Sequence, residues 1–349
     1  ANITHIEYNN ITTNGTGANN YGIYPQFSGI VNITNNVIFT NGTTNNYGIV
    51  YEASMNSITG NNNITTTGSG ADNYGIYVFR RSVANNVTNN IINTSGTSTN
   101  YGIILENSLT ETIVLNNSVF SGGSSSANYG IYIFTSSFRN NLTHNRVLSR
   151  GTNDNYAVLL QNNADFTTIE YNNVTTNGTT TTNIGIVTQS SRQNNVTNNI
   201  IFTNGTSSNE GISLQTDPNT TVISGNNITT TGTSSSNFGI YLVTRAISNN
   251  ITNNIINTSG TQANYGIQLD TSANDSFVLN NSIFSGGSTS ANLGIYVSTS
   301  SYRNNLSHNR ISTRGTTSNY GIQLFTDANI THIEYNNITT NGTGANNYG

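Results

Sequence analysis

The 349-residue chain has no cysteine, no lysine and no tryptophan, with one methionine and two prolines. The absence of cysteine excludes thiolate metal sites and a disulfide framework. Charge is scarce: 7% of residues are charged against a usual quarter, all ten basic residues are arginine, and the net charge is −4. No basic surface exists to hold a phosphate backbone, which excludes nucleic acid as a partner. No apolar run approaches ~18 residues, so the sequence holds no membrane-spanning helix. Asparagine is the most abundant residue, and 33 glycines, 19 tyrosines and 12 phenylalanines accompany it.

These residues recur in order. Asn-Tyr-Gly-Ile or a close variant appears thirteen times, its glycine at Gly22, Gly48, Gly75, Gly102, Gly130, Gly185, Gly211, Gly239, Gly266, Gly294, Gly321 and Gly349, with Ala157 in one copy. Successive copies lie about 27 residues apart. An asparagine precedes the aromatic position every time, from Asn20 and Asn46 to Asn319 and Asn347. A second asparagine column, two positions before an aliphatic, reads Asn9, Asn35, Asn62, Asn89, Asn117, Asn145, Asn172, Asn198, Asn226, Asn253, Asn281, Asn309 and Asn336.

Each unit carries three short β-branched clusters separated by Asn, Gly and Thr, such as Ile76-Tyr77-Val78, Val87 and Ile91-Ile92. This pattern predicts strands and turns rather than helices. Three short strands per ~27 residues describe one rung of an all-β, right-handed parallel β-helix, here of about 13 coils without caps, with rungs ~4.8 Å apart. At that spacing the second column predicts an internal amide ladder, and Tyr21, Tyr47, Tyr74, Tyr101, Tyr129 and Tyr156 an aromatic stack. One position past the aliphatic after the ladder, Ile38, Ile92, Phe120, Leu148, Ile201, Ile256 and Phe284 are expected to point outward as a lateral contact stripe.

The repeat resembles the right-handed β-helix proteins of the pectate-lyase-like superfamily over the whole chain. It is similar to Asn/Thr-rich repeats of archaeal and bacterial cell-surface proteins and of the periplasmic copper-binding β-helix family. The resemblance is specific for fold, not function. A longer period overlies it. Residues 1–22 return unchanged at 328–349, and Phe138-Arg139-Asn140 returns as Tyr302-Arg303-Asn304. Six-coil super-repeats are therefore expected at 1–163 and 164–327 of one continuous β-helix. With no atypical end coils, the array is expected to continue past both ends by tandem repetition or stacking.

Within the resembling superfamily, polysaccharide lyases and hydrolases gather acids and basic residues on adjacent rungs. The corresponding acids here are Glu52, Glu106 and Asp270. The first two lie two rungs or roughly 10 Å apart, with Arg80 and Arg81 between, and are read as a solvated ion pair. Glu7, Glu170 and Glu334 mark the period. His144 and His308 hold equivalent places in the two super-repeats among two arginine triplets, Arg139, Arg146, Arg150 and Arg303, Arg310, Arg314. The triplets are candidate lateral-contact or anionic-glycan sites. The four histidines are too dispersed for a metal site, so the copper-binding resemblance carries no ligand. Among many sequons, the Asn-Gly-Thr turns at Asn14, Asn41, Asn177, Asn204 and Asn341 are the exposed glycosylation candidates. The threonine runs at 65–67 and 229–231 are absent from most coils and form no continuous flat face.

The sequence reading is a structural, non-catalytic extracellular rod, a segment of a surface filament, sheath, surface layer or adhesin stalk, about 60 Å long for thirteen rungs. Its partners would be other copies of itself and glycans, with no cofactor. The alternative is a carbohydrate-binding or carbohydrate-cleaving β-helix.

Overall fold

A computed structural model describes residues 3–349 except 18, 27–28, 71, 108, 125–126, 180–181, 207, 234–235, 289–290 and 344–345. Among the described residues there are 39 strands and no helix. The fold is a parallel β-solenoid of about thirteen coils with three strands per coil. It divides into two compact units, residues 1–175 and 176–349.

In unit 1 a typical coil runs through Asn86–Thr88 in the first sheet, Ile91–Gly96 in the second and Asn100–Glu106 in the third. Each strand pairs in parallel with its equivalents in the coils before and after. Strand alternation turns Val87, Ile92, Thr94, Ile103 and Leu105 inward, where all are buried. β-Branched residues suit this narrow interior, because like side chains stack on like from coil to coil. Unit 2 repeats the plan, for example through Asn250–Thr252, Ile255–Gly260 and Asn264–Leu269.

The glycine of the repeat marks a close approach of the third strand to the second sheet. A Cβ on Gly102 would lie 2.5 Å from the Gly130 carbonyl oxygen and would also collide with Val119. Gly102→Val is therefore expected to destabilise unit 1 by about 3 kcal/mol, read as a shift in the denaturant midpoint. A variant as stable as the parent would show that the approach is not close.

Two asparagine columns run through each unit. In the first, the backbone N–H and side-chain Nδ2 of each asparagine both donate to Oδ1 of the next, at 2.8–3.0 Å, through Asn9, Asn36, Asn62, Asn90, Asn117, Asn145 and Asn172. Unit 2 continues the pattern through Asn199, Asn226, Asn254, Asn281, Asn309 and Asn336. The second column links the asparagine before each aromatic position. Nδ2 donates to Oδ1 one coil on at 3.0–3.1 Å from Asn20 through Asn46, Asn73, Asn100 and Asn128 to Asn155.

Four positions assigned to the ladder from sequence are corrected here. Asn35, Asn89, Asn198 and Asn253 are not members; their neighbours Asn36, Asn90, Asn199 and Asn254 are. The four adopt left-handed backbone conformations, φ 56–58°, and turn the corner into the second sheet. Asparagine tolerates that conformation better than most residues. The same one-residue slip overturns the proposed lateral stripe. Ile38, Ile92, Ile201 and Ile256 point into the core, and the outward residues are Val37, Ile91, Ile200 and Ile255, each 50–58% exposed. Phe120, Leu148 and Phe284 do lie outside the core, half-buried.

Candidate functional site

The outward face of the third sheet gathers most of the aromatic side chains. In unit 1 the strands Asn46–Glu52, Asn73–Phe79, Asn100–Glu106, Asn128–Phe134 and Asn155–Gln161 lie in register. Because Ile76 and Val78 point inward, Tyr77 and Phe79 point outward, beyond Tyr74. One tyrosine column stacks coil on coil: Tyr21 on Tyr47 at 4.8 Å, Tyr47 on Tyr74 at 4.5 Å, Tyr74 on Tyr101 and Tyr101 on Tyr129 at 5.0 Å, and Tyr129 on Tyr156 at 5.3 Å. The ring planes are within 12° of parallel. Ring faces are thus used against one another rather than presented to solvent.

A second tyrosine column appears only in alternate coils, at Tyr24, Tyr77 and Tyr132. Each hydroxyl reaches diagonally to an acceptor in the next coil: Tyr24 donates to Glu52 Oε2 at 2.6 Å, Tyr77 to Glu106 and Tyr132 to Gln161. Tyr77 also stacks on Phe79 at 4.7 Å, and Tyr132 on Phe134 at 4.4 Å. Burial, together with the Glu52 carboxylate, pushes the Tyr24 phenol up to about 12. Burial and then Glu106 push Tyr77 higher still. Both phenols therefore remain protonated donors at ordinary pH.

The Glu52–Arg80 pair is real but not solvated on the acid side. The Glu52 side chain is 2% exposed against 59% for Arg80, whose guanidinium lies 5.3 Å from the centre of the Phe79 ring. Arg81 is exposed. Glu106 is half-buried, and Asn107 Nδ2 donates to its Oε1 at 3.1 Å. Sequence reasoning found the acids and missed their tyrosines. The available signal was a tyrosine one coil and two positions before each acid or amide.

Unit 2 shows a variant of the same face. Asp270 accepts from Ser298 at 3.0 Å, from Gln268 at 3.3 Å and from Tyr241 at 3.4 Å. Glu210 occupies the place of a stacked tyrosine, in register with Ile184 and Phe238. Burial pushes its carboxyl up to about 7, partly opposed by a hydrogen bond with Ser213. Its Oε2 has no hydrogen-bond partner among the described residues.

The remaining candidates do not converge. Arg146 and Arg150 lie four residues apart on the strand Arg146–Gly151, whereas Arg139 sits at another corner beside Phe138. In the second triplet Arg303 is paired with Asp275, and Arg310 and Arg314 lie on Arg310–Gly315. Arg314 and Phe284 border an open cleft of about 560 Å³ over Gly286. His144 and His308 occupy left-handed corners, His144 stacked on Tyr171 and His308 tilted against Tyr335. Glu7, Glu170 and Glu334 each end a first-sheet strand. Asn14, Asn41, Asn177 and Asn341 are exposed, and Asn204 is half-buried. Among the described residues, no group of three His, Asp or Glu could hold a metal ion, and no helix is long and apolar enough to cross a membrane.

Compared with known proteins, the sequence matches no family model and no curated protein. The fold does match solved structures. A mutant of the periplasmic alginate epimerase AlgG is 10% identical with a TM-score of 0.53, covering 95% of this chain and 78% of that one. The structural neighbours are pectate-lyase-like parallel β-helix proteins. They include the A-module of the Azotobacter vinelandii mannuronan C-5 epimerase AlgE6, 9% identical with a TM-score of 0.44 over 97% of this chain and 91% of that one. The Dettilon tailspike protein is 11% identical with a TM-score of 0.41 over 85% and 61%. The expectation of a non-catalytic chain is corrected on this point: the AlgG match places the fold among those used by carbohydrate-active enzymes.

Proposed function

We propose that the chain is a carbohydrate-binding or carbohydrate-modifying β-helix, working outside the cytoplasm, whose site is the outward face of the third sheet in unit 1. The observation that carries this reading is the pair of Tyr–Glu contacts, Tyr24 to Glu52 and Tyr77 to Glu106, two coils apart on one face. Tyr24 and Arg80 fix the Glu52 carboxylate from both sides. Among the described residues Glu106 has two neutral donors, Tyr77 and Asn107, and an ionised carboxylate has about four acceptor sites, so sugar hydroxyls can donate to those that remain. The likeness to alginate epimerases supports the fold's suitability for long glycans.

The test is retention of the intact chain on immobilised polysaccharides, with the eluate analysed for altered or shortened glycan. Glu106→Gln is expected to weaken retention at least about tenfold, as loss of a charged hydrogen bond does. Equal retention by the variant would remove Glu106 from the site. A second reading is favoured by the asparagine ladders, in which the same face is carried by a stiff segment of a surface filament, sheath or layer built from six-coil super-repeats. Electron microscopy of native material showing dispersed particles would remove that part.

A further inference from the structure

The stability ladders of this protein have a period of one coil. Asparagine follows asparagine and ring follows ring, because identical side chains stack best on one another. The acceptor face of the third sheet has a period of two. The column Tyr24, Val50, Tyr77, Ile104, Tyr132, Leu159 alternates ring and aliphatic, and Val50, Ile104 and Leu159 are buried. The adjoining column, Glu52, Phe79, Glu106, Phe134, Gln161, alternates acceptor and ring out of phase with it. Each tyrosine therefore meets an acceptor on the next coil, and the unit of the pattern is two coils, roughly 10 Å along the axis. Unit 2 carries the alternation only in part: Val187 and Ser213 precede Tyr241, Gln268 and Tyr296 in the column. There Gln268, at the place of Val50 and Ile104, is 7% exposed and its Oε1 has no hydrogen-bond partner among the described residues. Coil-on-coil stacking gives no reason for a doubled period.

We infer that this face receives a ribbon-like glycan without acidic groups, laid along the coil axis with two sugar residues for every two coils. This deepens the proposed function and rests on it. In a flat, two-fold ribbon every second sugar presents the same edge, so a site repeating every two coils meets the same hydroxyls each time. A helical glycan does not do so. Charge selects against polyuronates. Glu106 and Asp72, the latter an acceptor for the Tyr74 hydroxyl at 3.3 Å, line the unit 1 face. Arg80 is already engaged by Glu52, and Arg81 turns the corner beyond the strand. Uronate carboxylates would therefore meet fixed carboxylates, whereas hydroxyls and amines donate to them.

The experiment is calorimetric titration of the intact chain with cello- and chito-hexaoses, malto-hexaose, and hexamers of galacturonate and mannuronate. Binding of a cello- or chito-hexaose at least about tenfold tighter than any other, lost about tenfold in Tyr77→Phe/Glu106→Gln with unchanged melting temperature, is expected. Uronate hexamers binding as tightly would overturn the charge selection and leave the glycan site standing. Malto-hexaose binding equally would overturn the ribbon register. If no glycan binds, the proposed function falls together with the inference.

Discussion

Replacing Asn226 with leucine is expected to destabilise unit 2 by about 3–6 kcal/mol, because several buried polar groups lose their partners at once. Asn226 Oδ1 accepts from both Asn199 N and Asn199 Nδ2. Its own nitrogens donate to Asn254 Oδ1, and Nδ2 also reaches the carbonyls of Val196 and Ser224. Leucine has as many side-chain heavy atoms and keeps the backbone N–H bond to Asn254, but returns none of the side-chain bonds. Each orphaned buried group costs about 1–3 kcal/mol, and the interruption falls between two coils that stack only on their neighbours. Asn253→Gly is the matched control. Its side chain is exposed and its φ is 57°, so glycine should be neutral or slightly stabilising. Urea unfolding followed by far-UV circular dichroism measures both. If the two variants lose stability equally, the ladder does not run where the hydrogen bonds place it.

The second large effect is a pH dependence of stability centred on Glu210. Its carboxyl titrates near 7 in the folded chain against an ordinary value of 4.5, so folding retains a proton that the unfolded chain has released. Below pH 4.5 both states are protonated and no penalty arises. Between 4.5 and 7 stability falls progressively, and above 7 the folded state must bury a carboxylate with one unpartnered oxygen. The full span is about 3 kcal/mol. Asp275, held below the ordinary carboxylate value by Arg303, acts in the opposite sense and only at lower pH. The signal is therefore the difference between the parent and Glu210→Gln, which should grow from pH 4.5 to pH 7 and then level. Identical pH profiles would mean that Glu210 is solvated.

The repeat made the fold legible, since a period of about 27 residues with three β-branched clusters has few physical solutions. Register was less legible. In Asn89-Asn90-Ile91-Ile92 two asparagines precede two isoleucines, and hydrophobicity alone does not say which isoleucine points inward. A one-residue slip turns every side chain to the other face, so the ladder and the exposed stripe failed together at Asn89 and Ile92, and likewise near Asn35, Asn198 and Asn253. The small inward residue two positions after the buried aliphatic, Thr94 in this coil and Ser121 in the next, would have fixed the choice. The acids of the site were visible as a column. The burial of Glu52 was not, because it depends on Tyr24, Phe79 and Arg80 from the coils on either side. Glu210 was hidden by standing in an aromatic position.

The central claim, a glycan site on the outward face of the third sheet, is tested most directly by hydroxyl-radical footprinting of the intact chain with and without a saturating bound glycan. Protection of Tyr24, Tyr77 and Tyr132, with Tyr171 at its first-sheet corner unchanged, is the predicted result. Unchanged reactivity of these three tyrosines, or protection confined to Phe120 and Phe284 on the second sheet, would contradict it.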